Sequence, residues 1–202
     1  VVLGDEGTVL KSLDGISWSS SIKTPNPYFT SLVYGNGLFV ATGAYGKIYT
    51  SENCSTWAES IVSVSLRDVC FRNNRFLAVG NYGAILSSVD GVTWTPISSS
   101  ASISELRSIS HGIGTYVAVG WDGTVLVSTD ANNWTNQTSD VTKTYSLYDV
   151  TFYDSTFIAV GSYGKIITST DGVNWTNQNS RISANLYDIK YCGNKFISVG
   201  SS

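Results

Sequence analysis

Residues 80–94 read Gly-Asn-Tyr-Gly-Ala-Ile-Leu-Ser-Ser-Val-Asp-Gly-Val-Thr-Trp, in which a Gly-x-x-Gly turn is followed by a box of the form Ser-x-Asp-Gly-x-x-Trp. The chain contains five versions of this phrase. The tryptophans that end the boxes lie 39, 37, 40 and 41 residues apart. A fixed period near 40 residues indicates one supersecondary unit repeated along the chain. The five boxes occupy residues 12–18, 51–57, 88–94, 128–134 and 169–175.

Within each repeat, apolar and polar side chains alternate in short runs separated by turn residues, which is typical of β-strands. In the repeat that contains the quoted phrase, we predict strands over residues 66–71, 76–80 and 84–88 and a fourth strand from Trp94. Four antiparallel strands in about 40 residues are typical of the blade of a β-propeller. We therefore predict an all-β fold, a five-bladed β-propeller of four-stranded antiparallel blades.

The repeat covers residues 1–202 without a linker, which predicts a single β-propeller domain. Repeats begin near residues 4, 43, 80, 120 and 161, and a sixth copy of the second strand lies at residues 196–200. One copy of that strand is surplus in a closed ring of five blades. We expect the two chain ends to pair and close the ring. Exchange of a strand with a second molecule, and a chain cut from a longer propeller, are the alternatives.

Composition limits the classes of partner. Hydrophobic residues make up 42% of the chain, charged residues make up 13%, and the net charge is -3. Because the chain has no basic field for a phosphate backbone, we expect no nucleic-acid partner. No apolar run is long enough to span a bilayer, so we expect no membrane insertion. We predict a monomer without a cofactor and with three free cysteines.

The chain has no methionine, which predicts a mature or trimmed form. Four Asn-x-Ser/Thr sequons, at Asn53, Asn133, Asn136 and Asn174, would accept glycans in a secretory setting. These sequons favour an extracellular or periplasmic location without identifying one.

Each box has a local structural mechanism. The Asp side chain can accept hydrogen bonds from amides of its own turn, the Gly tolerates a positive φ, and the Trp covers apolar surface. Cys54 and Ala131 stand where the other boxes have Gly. We predict structural roles for Asp14, Asn53, Asp90, Asp130 and Asp171 and for Trp18, Trp57, Trp94, Trp134 and Trp175.

The boxes closely resemble the Asp-box, or bacterial neuraminidase repeat, and residues 66–94 are similar to repeats of the photosystem II assembly and stability factor family. Both resemblances imply a β-propeller. Sialidases, which also carry Asp-boxes, need three arginines that bind a carboxylate and a Tyr with a Glu partner. The chain has five arginines in three repeats and no Arg-Ile-Pro signature. We therefore expect no sialidase activity and predict no catalytic residue.

Two sets of residues predict a ligand site at the mouth of the propeller channel. The Gly-x-x-Gly turns carry four aromatic residues, which we align as equivalent, and the inner strands begin with Arg or Tyr in four repeats. Rings and guanidiniums can stack on sugars or bind a peptide and its carboxylate. Alternatively, the tyrosines shield the turns and the arginines pair with Asp68, Asp149 or Asp188. The predicted site residues are Tyr45, Tyr82, Trp121, Tyr163, Arg67, Arg107, Tyr148 and Tyr187.

We predict a non-enzymatic binding or scaffold propeller that recognises a glycan, peptide or protein at the channel-mouth face. The first alternative is a glycoside-processing enzyme of Asp-box type, in which two of Asp68, Asp149 and Asp188 would lie about 5 to 10 Å apart. The second is an engineered or truncated repeat chain without a selected function. We expect no metal, since these aspartates are more simply bonded to neighbouring backbone.

Overall fold

The computed structural model describes residues 1–22, 28–99, 104–137 and 143–201. These residues form 21 β-strands and five short 3-10 turns. The strands make six sheets, and their pairings are antiparallel. No helix in the described ranges has the length and apolar character needed to cross a membrane.

The chain divides into two compact units, of which the first comprises Val1–Gly80 and Leu86–Pro96. Sheet 1 has three strands, sheet 2 has four, and sheet 3 has four that lie almost entirely in this unit. The strands of sheet 1 are β1 (Val2–Leu3), β2 (Thr8–Lys11) and β3 (Ser19–Ile22). Those of sheet 2 are β4 (Phe29–Gly35), β5 (Leu38–Gly43), β6 (Lys47–Ser51) and β7 (Ala58–Ile61). Those of sheet 3 are β8 (Leu66–Arg72), β9 (Arg75–Gly80), β10 (Ile85–Ser88) and β11 (Thr95–Ile97).

The second unit comprises Asn81–Ile85 and the chain from Ile97 onward. Sheets 4 and 5 have four strands each, and sheet 6 has two. The strands of sheet 4 are β12 (Leu106–Gly112), β13 (Thr115–Gly120), β14 (Val125–Ser128) and β15 (Thr135–Asn136). Those of sheet 5 are β16 (Leu147–Tyr153), β17 (Thr156–Gly161), β18 (Ile166–Ser169) and β19 (Thr176–Gln178). Those of sheet 6 are β20 (Leu186–Cys192) and β21 (Lys195–Gly200).

The predicted all-β class and the four-stranded antiparallel unit are confirmed in sheets 2 to 5. The two copies of the surplus strand are β1, which pairs with β2, and β21, which pairs with β20. Sheet 1 therefore lacks an inner strand, and sheet 6 consists of an inner strand and a second strand. The number of blades and the closure of a ring stay predictions.

Each unit buries apolar side chains between consecutive sheets. In the first unit, Phe76, Val40 and Leu66 belong to one buried cluster contributed by sheets 2 and 3. In the second unit, alternate residues of β17 enter different buried clusters. Both faces of this strand are therefore apolar. Phe157 lies in a cluster with residues of sheet 4, whereas Ile158 lies in a cluster with residues of sheet 6. This period-two burial on both faces explains why the second strands read as continuous apolar runs.

All five inner strands contain a β-bulge at the same repeat position. In β12, for example, Leu106 pairs with Gly120 and Ser108 pairs with Val119, so Arg107 has no paired residue on the neighbouring strand. A bulge places one extra residue on a strand and changes the direction of its side chain. The bulged residues are Thr30, Arg67, Arg107, Tyr148 and Tyr187.

A glycine at the end of the second strand accommodates each bulge. The backbone of Gly120 is extended, with φ -168°, so its conformation alone does not require glycine. A Cβ on this residue would, however, collide with the carbonyl oxygen of Glu105, and a Cβ on Gly161 would collide with that of Ser146. The Glu105 carbonyl instead accepts a hydrogen bond of 2.9 Å from the N–H of Trp121. Because Gly120 has no side chain, the N–H of Trp121 can reach the Glu105 carbonyl across the bulge.

Gly120→Ala should destabilise the protein by about 3 kcal/mol because the added methyl group overlaps the backbone and breaks this hydrogen bond. Gly4 is a matched control, since it occupies the same repeat position in sheet 1, which has no inner strand. A Cβ on Gly4 would meet only Thr8, at 3.5 Å, so Gly4→Ala should change the free energy of unfolding by less than about 1 kcal/mol. Urea unfolding compares the two variants, and equal losses would contradict the assignment.

Each box folds into a turn held by its own polar side chains. In the third box, Oδ1 of Asp90 accepts hydrogen bonds from the N–H groups of Val92 (2.9 Å) and Thr93 (2.8 Å). The Ser88 hydroxyl donates to the same oxygen at 2.9 Å. The amides of Thr93 and then Val92 lower the pKa of Asp90 to about 2. The same two-amide pattern surrounds Asp14, Asn53, Asp130 and Asp171.

The box tryptophans differ in burial. Trp134 and Trp175 are buried, Trp57 and Trp94 are half-buried, and Trp18 is 47% exposed. In the third box, the indole N–H of Trp94 donates to the Gly91 carbonyl at 3.0 Å. The tryptophan therefore adds a hydrogen bond to the same turn as the carboxylate.

The depressed pKa of Asp90 makes its contribution to stability present above about pH 4 and lost as the pH falls toward 2. Asn53 shows that an amide oxygen can accept the same two bonds. Asp90→Asn should therefore cost less than Asp90→Ala at pH 7, where the alanine variant should lose about 1 kcal/mol. The asparagine variant should also show a smaller loss of stability on acidification. Urea unfolding at several pH values tests this, and equal losses for the two variants at pH 7 would contradict it.

Candidate functional site

In the second unit, the bulged residues of sheets 4 to 6 form a continuous row with one turn residue. The guanidinium carbon of Arg107 lies 5.3 Å from the ring centre of Trp121 and 5.6 Å from that of Tyr148. The rings of Tyr148 and Tyr187 lie 5.4 Å apart with an interplanar angle of 35°. We call Trp121, Arg107, Tyr148 and Tyr187 the aromatic ladder. The ladder holds four of the eight predicted site residues.

A buried carboxylate orients the central cation of the ladder. Nε of Arg107 lies 2.6 Å from Oε1 of Glu105, and the Glu105 side chain is only 9% exposed. This close ion pair with a buried carboxylate restricts the position of the guanidinium. Sequence reasoning missed Glu105, although an acidic residue just before the bulge could have indicated a partner for Arg107.

The ladder is accessible from solvent. Trp121 is 42% exposed and Tyr187 is 51% exposed, while Arg107 and Tyr148 are half-buried. Ring faces and a flat cation that are held in place before a ligand arrives lose little conformational entropy on binding. The arrangement can stack on flat groups of a ligand and can donate hydrogen bonds from the guanidinium.

The structure corrects the predicted alignment of the turn aromatics. Tyr45, Tyr82 and Tyr163 occupy the second position of their turns, with φ values of 60°, 58° and 55°. In the fourth turn that left-handed position belongs to Asp122, with φ 52°. Trp121 is the first residue of its turn and is therefore not equivalent to the tyrosines. Because the two positions direct their side chains differently, Trp121 reaches Arg107.

The three turn tyrosines are 71 to 77% exposed. Tyr45 makes an edge contact with Tyr28 at 6.3 Å, and Tyr163 makes the same contact with Tyr145 at 6.4 Å. The second aromatic of each pair precedes an inner strand by one or two residues and was missed in the sequence, where that spacing was the available signal. The remaining predicted residue, Arg67, is the half-buried bulge residue of β8 in the first unit.

The inner-strand aspartates form hydrogen bonds to neighbouring strands. In the first unit, the Ser31 hydroxyl donates to Asp68 at 2.6 Å. In the second unit, Asp149 accepts hydrogen bonds from the Ser108 hydroxyl at 2.6 Å and from the N–H of Ile189 at 2.9 Å. Asp149 thus connects the inner strands of three consecutive sheets.

Asp149 also shares a cation with a second acid. Lys190 Nζ lies 3.1 Å from Asp149 Oδ2 and 3.0 Å from Asp188 Oδ1. Burial, followed by a hydrogen bond with Asp188, raises the pKa of Asp149 to about 6, and the same bond lowers the pKa of Asp188. Both carboxylates are therefore engaged by one lysine. No cluster of three or more His, Cys, Asp or Glu side chains suited to a metal occurs in the described ranges.

Because the pKa of Asp149 is raised above the unfolded value of 3.8 to about 6, this carboxyl makes the protein more stable near pH 4 than near pH 7. Asp149→Asn cannot ionise and should remove that part of the pH dependence. The free energy of unfolding of the variant, relative to the native chain, should therefore rise between pH 4 and pH 7. Urea unfolding measures it, and a constant difference would contradict the assigned ionisation.

Comparison with known proteins indicates a β-propeller fold. The chain matches no protein-family model and no curated protein. Among solved structures, it is similar to YCF48 bound to D1 peptide, with a TM-score of 0.74, 18% identity and coverage of 98% of this chain and 70% of that one. Virginiamycin B lyase from Staphylococcus aureus, in an inactive variant with quinupristin, gives a TM-score of 0.84, 13% identity and coverage of 96% and 71%.

A designed protein is also similar. The computationally designed Ika8 protein gives a TM-score of 0.68, 13% identity and coverage of 98% of this chain and 66% of that one. At such identities the similarity shows the fold alone.

Proposed function

We propose that the chain is a non-enzymatic binding module whose aromatic ladder recognises a segment of a peptide or protein. The observation that supports this proposal is the position of Arg107 near the rings of Trp121 and Tyr148, with the buried carboxylate of Glu105 in ion-pair contact with it. A preorganised row of partly exposed rings and one cation is typical of protein recognition surfaces, where Trp, Tyr and Arg dominate the binding energy.

The ion pair in the ladder limits the class of ligand. A ligand carboxylate on Nε of Arg107 would have to displace Glu105, whose carboxylate oxygen is 2.6 Å away. The ladder therefore favours neutral flat groups, such as aromatic side chains and peptide bonds, over a bare anion. A neighbour in fold, YCF48, has been solved with a peptide bound, which supports a peptide more than the alternative glycan.

We propose that the boxes are Asp-box turns and that the repeats form a single five-bladed domain, as the uninterrupted period of about 40 residues indicates. The glycoside-processing alternative has less support, because Lys190 forms an ion pair with both Asp149 and Asp188.

Peptide and glycan arrays probed with the native chain and three variants test this function. Trp121→Ala and Arg107→Ala should each weaken binding to the peptides that the native chain selects by at least about tenfold, or about 1.4 kcal/mol. Tyr34→Ala is a matched control, since Tyr34 is a 59% exposed tyrosine in β4. It lies at the end of this inner strand that is far from the bulge. It should bind like the native chain.

Two results would contradict the proposal. Binding to glycans without binding to peptides would show that the ligand class is wrong. Equal peptide binding by the native chain and by folded Trp121→Ala would show that the ladder is not the site.

A further inference from the structure

The second unit contains a cavity of about 900 Å³ beside the turn at residues 162–164. The segment over residues 177–184 forms one wall, and Tyr145, Tyr163 and Lys165 form another. The aromatic ladder contributes no residue to this lining. The cavity is therefore a separate feature of the described surface.

Lys165 is the unusual residue of this cavity. The residue is only 8% exposed, and its Nζ lies 4.4 Å from the ring centre of Tyr145. Burial lowers the pKa of Lys165. Within the described ranges, no carboxylate forms an ion pair with it. The stem of Lys165 is therefore buried, while its ammonium lies at the cavity beside the Tyr145 ring, where an anion would complete its environment.

The repeat provides an internal comparison for this lysine. Lys47 occupies the same position in sheet 2, directly after the turn glycine, and its Nζ lies 3.3 Å from Oε1 of Glu59. Glu59 is paired with Tyr49 across the sheet, as Asn177 is paired with Ile167 in sheet 5. Asn177 therefore replaces the acid that neutralises the first lysine. The same repeat position carries a built-in anion in one sheet and a neutral amide in the other.

The segment that follows the outer strand is also longer in sheet 5. In sheet 2, the carbonyl of Val62 approaches Gly46, and in sheet 5 the carbonyl of Ile182 approaches Gly164 in the same way. Val62 lies five residues after the box tryptophan, whereas Ile182 lies seven residues after it. The longer segment includes Arg181, which lines the cavity and adds a second positive charge.

We propose that this cavity binds a carboxylate, with the Lys165 ammonium as its counter-ion and the Tyr145 and Tyr163 rings beside it. The two rings meet edge to face at 6.4 Å, a geometry that suits an apolar or aromatic group attached to the carboxylate. Asn177 can donate a hydrogen bond from its amide to the ligand carboxylate. A glutamate at this position, like Glu59 in sheet 2, would repel that carboxylate. The ligand class is an aromatic or apolar carboxylate, such as the C-terminal carboxylate of a peptide. This inference does not depend on the function of the aromatic ladder.

Hippurate, in which a glycine unit links a benzoyl group to a carboxylate, is the probe for an NMR titration of the full chain. The native protein should show saturable shifts of the backbone amides of Gly164 and Lys165. Hippuramide, which has the same shape without the charge, should cause none. Inorganic phosphate should bind more weakly than hippurate, and stronger binding of phosphate would overturn the assignment to a carboxylate.

Two substitutions at one position separate the charge of the site from its shape. Asn177→Glu recreates the acid of the Lys47–Glu59 pair and should weaken hippurate binding at least tenfold, whereas Asn177→Gln should bind like the native chain. Lys165→Gln should lose binding, and Lys47→Gln should retain it. These two lysine variants keep the test decisive if Asn177→Glu fails to fold. Absence of shifts in the native protein, or unchanged binding by Lys165→Gln, would overturn the proposal.

Discussion

The contact between a glycine at the end of each second strand and the carbonyl group before the inner strand of the same sheet determines the geometry of the bulge and of the site. At Gly120 and Gly161, a Cβ would occupy the space of that carbonyl oxygen. The space allows the first N–H of the following turn to donate to the carbonyl at 2.9 Å. The inner strand then gains one residue relative to its partner, and the bulged side chain changes direction. In the second unit, this change brings Arg107 and Tyr148 together, so a binding surface results from a backbone requirement.

The fold was predictable from local patterns, because each pattern has a local cause. Alternating apolar residues and the turn residues of each box predicted the first three strands of sheet 3. Each predicted end lies within one residue of the observed end. The site was predictable only in part. The sequence indicated that Arg107 and Tyr148 begin inner strands, but their contact depends on a bulge set by glycines 15 residues away from the carbonyls that they meet, Gly120 from Glu105 and Gly161 from Ser146. The misplacement of Trp121 had a different origin, since alignment by aromatic identity ignored its distance from Gly120, which the sequence contains.

The repeats also show how a fixed scaffold acquires different charges at one position. Lys47 is neutralised by Glu59 within its sheet, and Arg107 is neutralised by Glu105, which immediately precedes its strand. Lys165 has neither kind of partner in the described part of the chain, although its sheet is otherwise built like the others. A change from an acid to Asn177 alters no strand pairing. Function can therefore differ between sheets at little cost to the fold, because the box and turn residues that maintain each sheet lie elsewhere.

Hydrogen exchange of individual backbone amides tests the glycine and carbonyl contact most directly. The N–H groups of Trp121, Ser162 and Ser201 each donate at 2.9 Å to the carbonyl that precedes an inner strand. These amides should exchange as slowly as strand amides such as that of Val119, although they belong to turns or to a chain end. Exchange at the rate of an unprotected amide at Trp121 and Ser162 would contradict the account, since the bulges and the aromatic ladder would then lack the contact that fixes them.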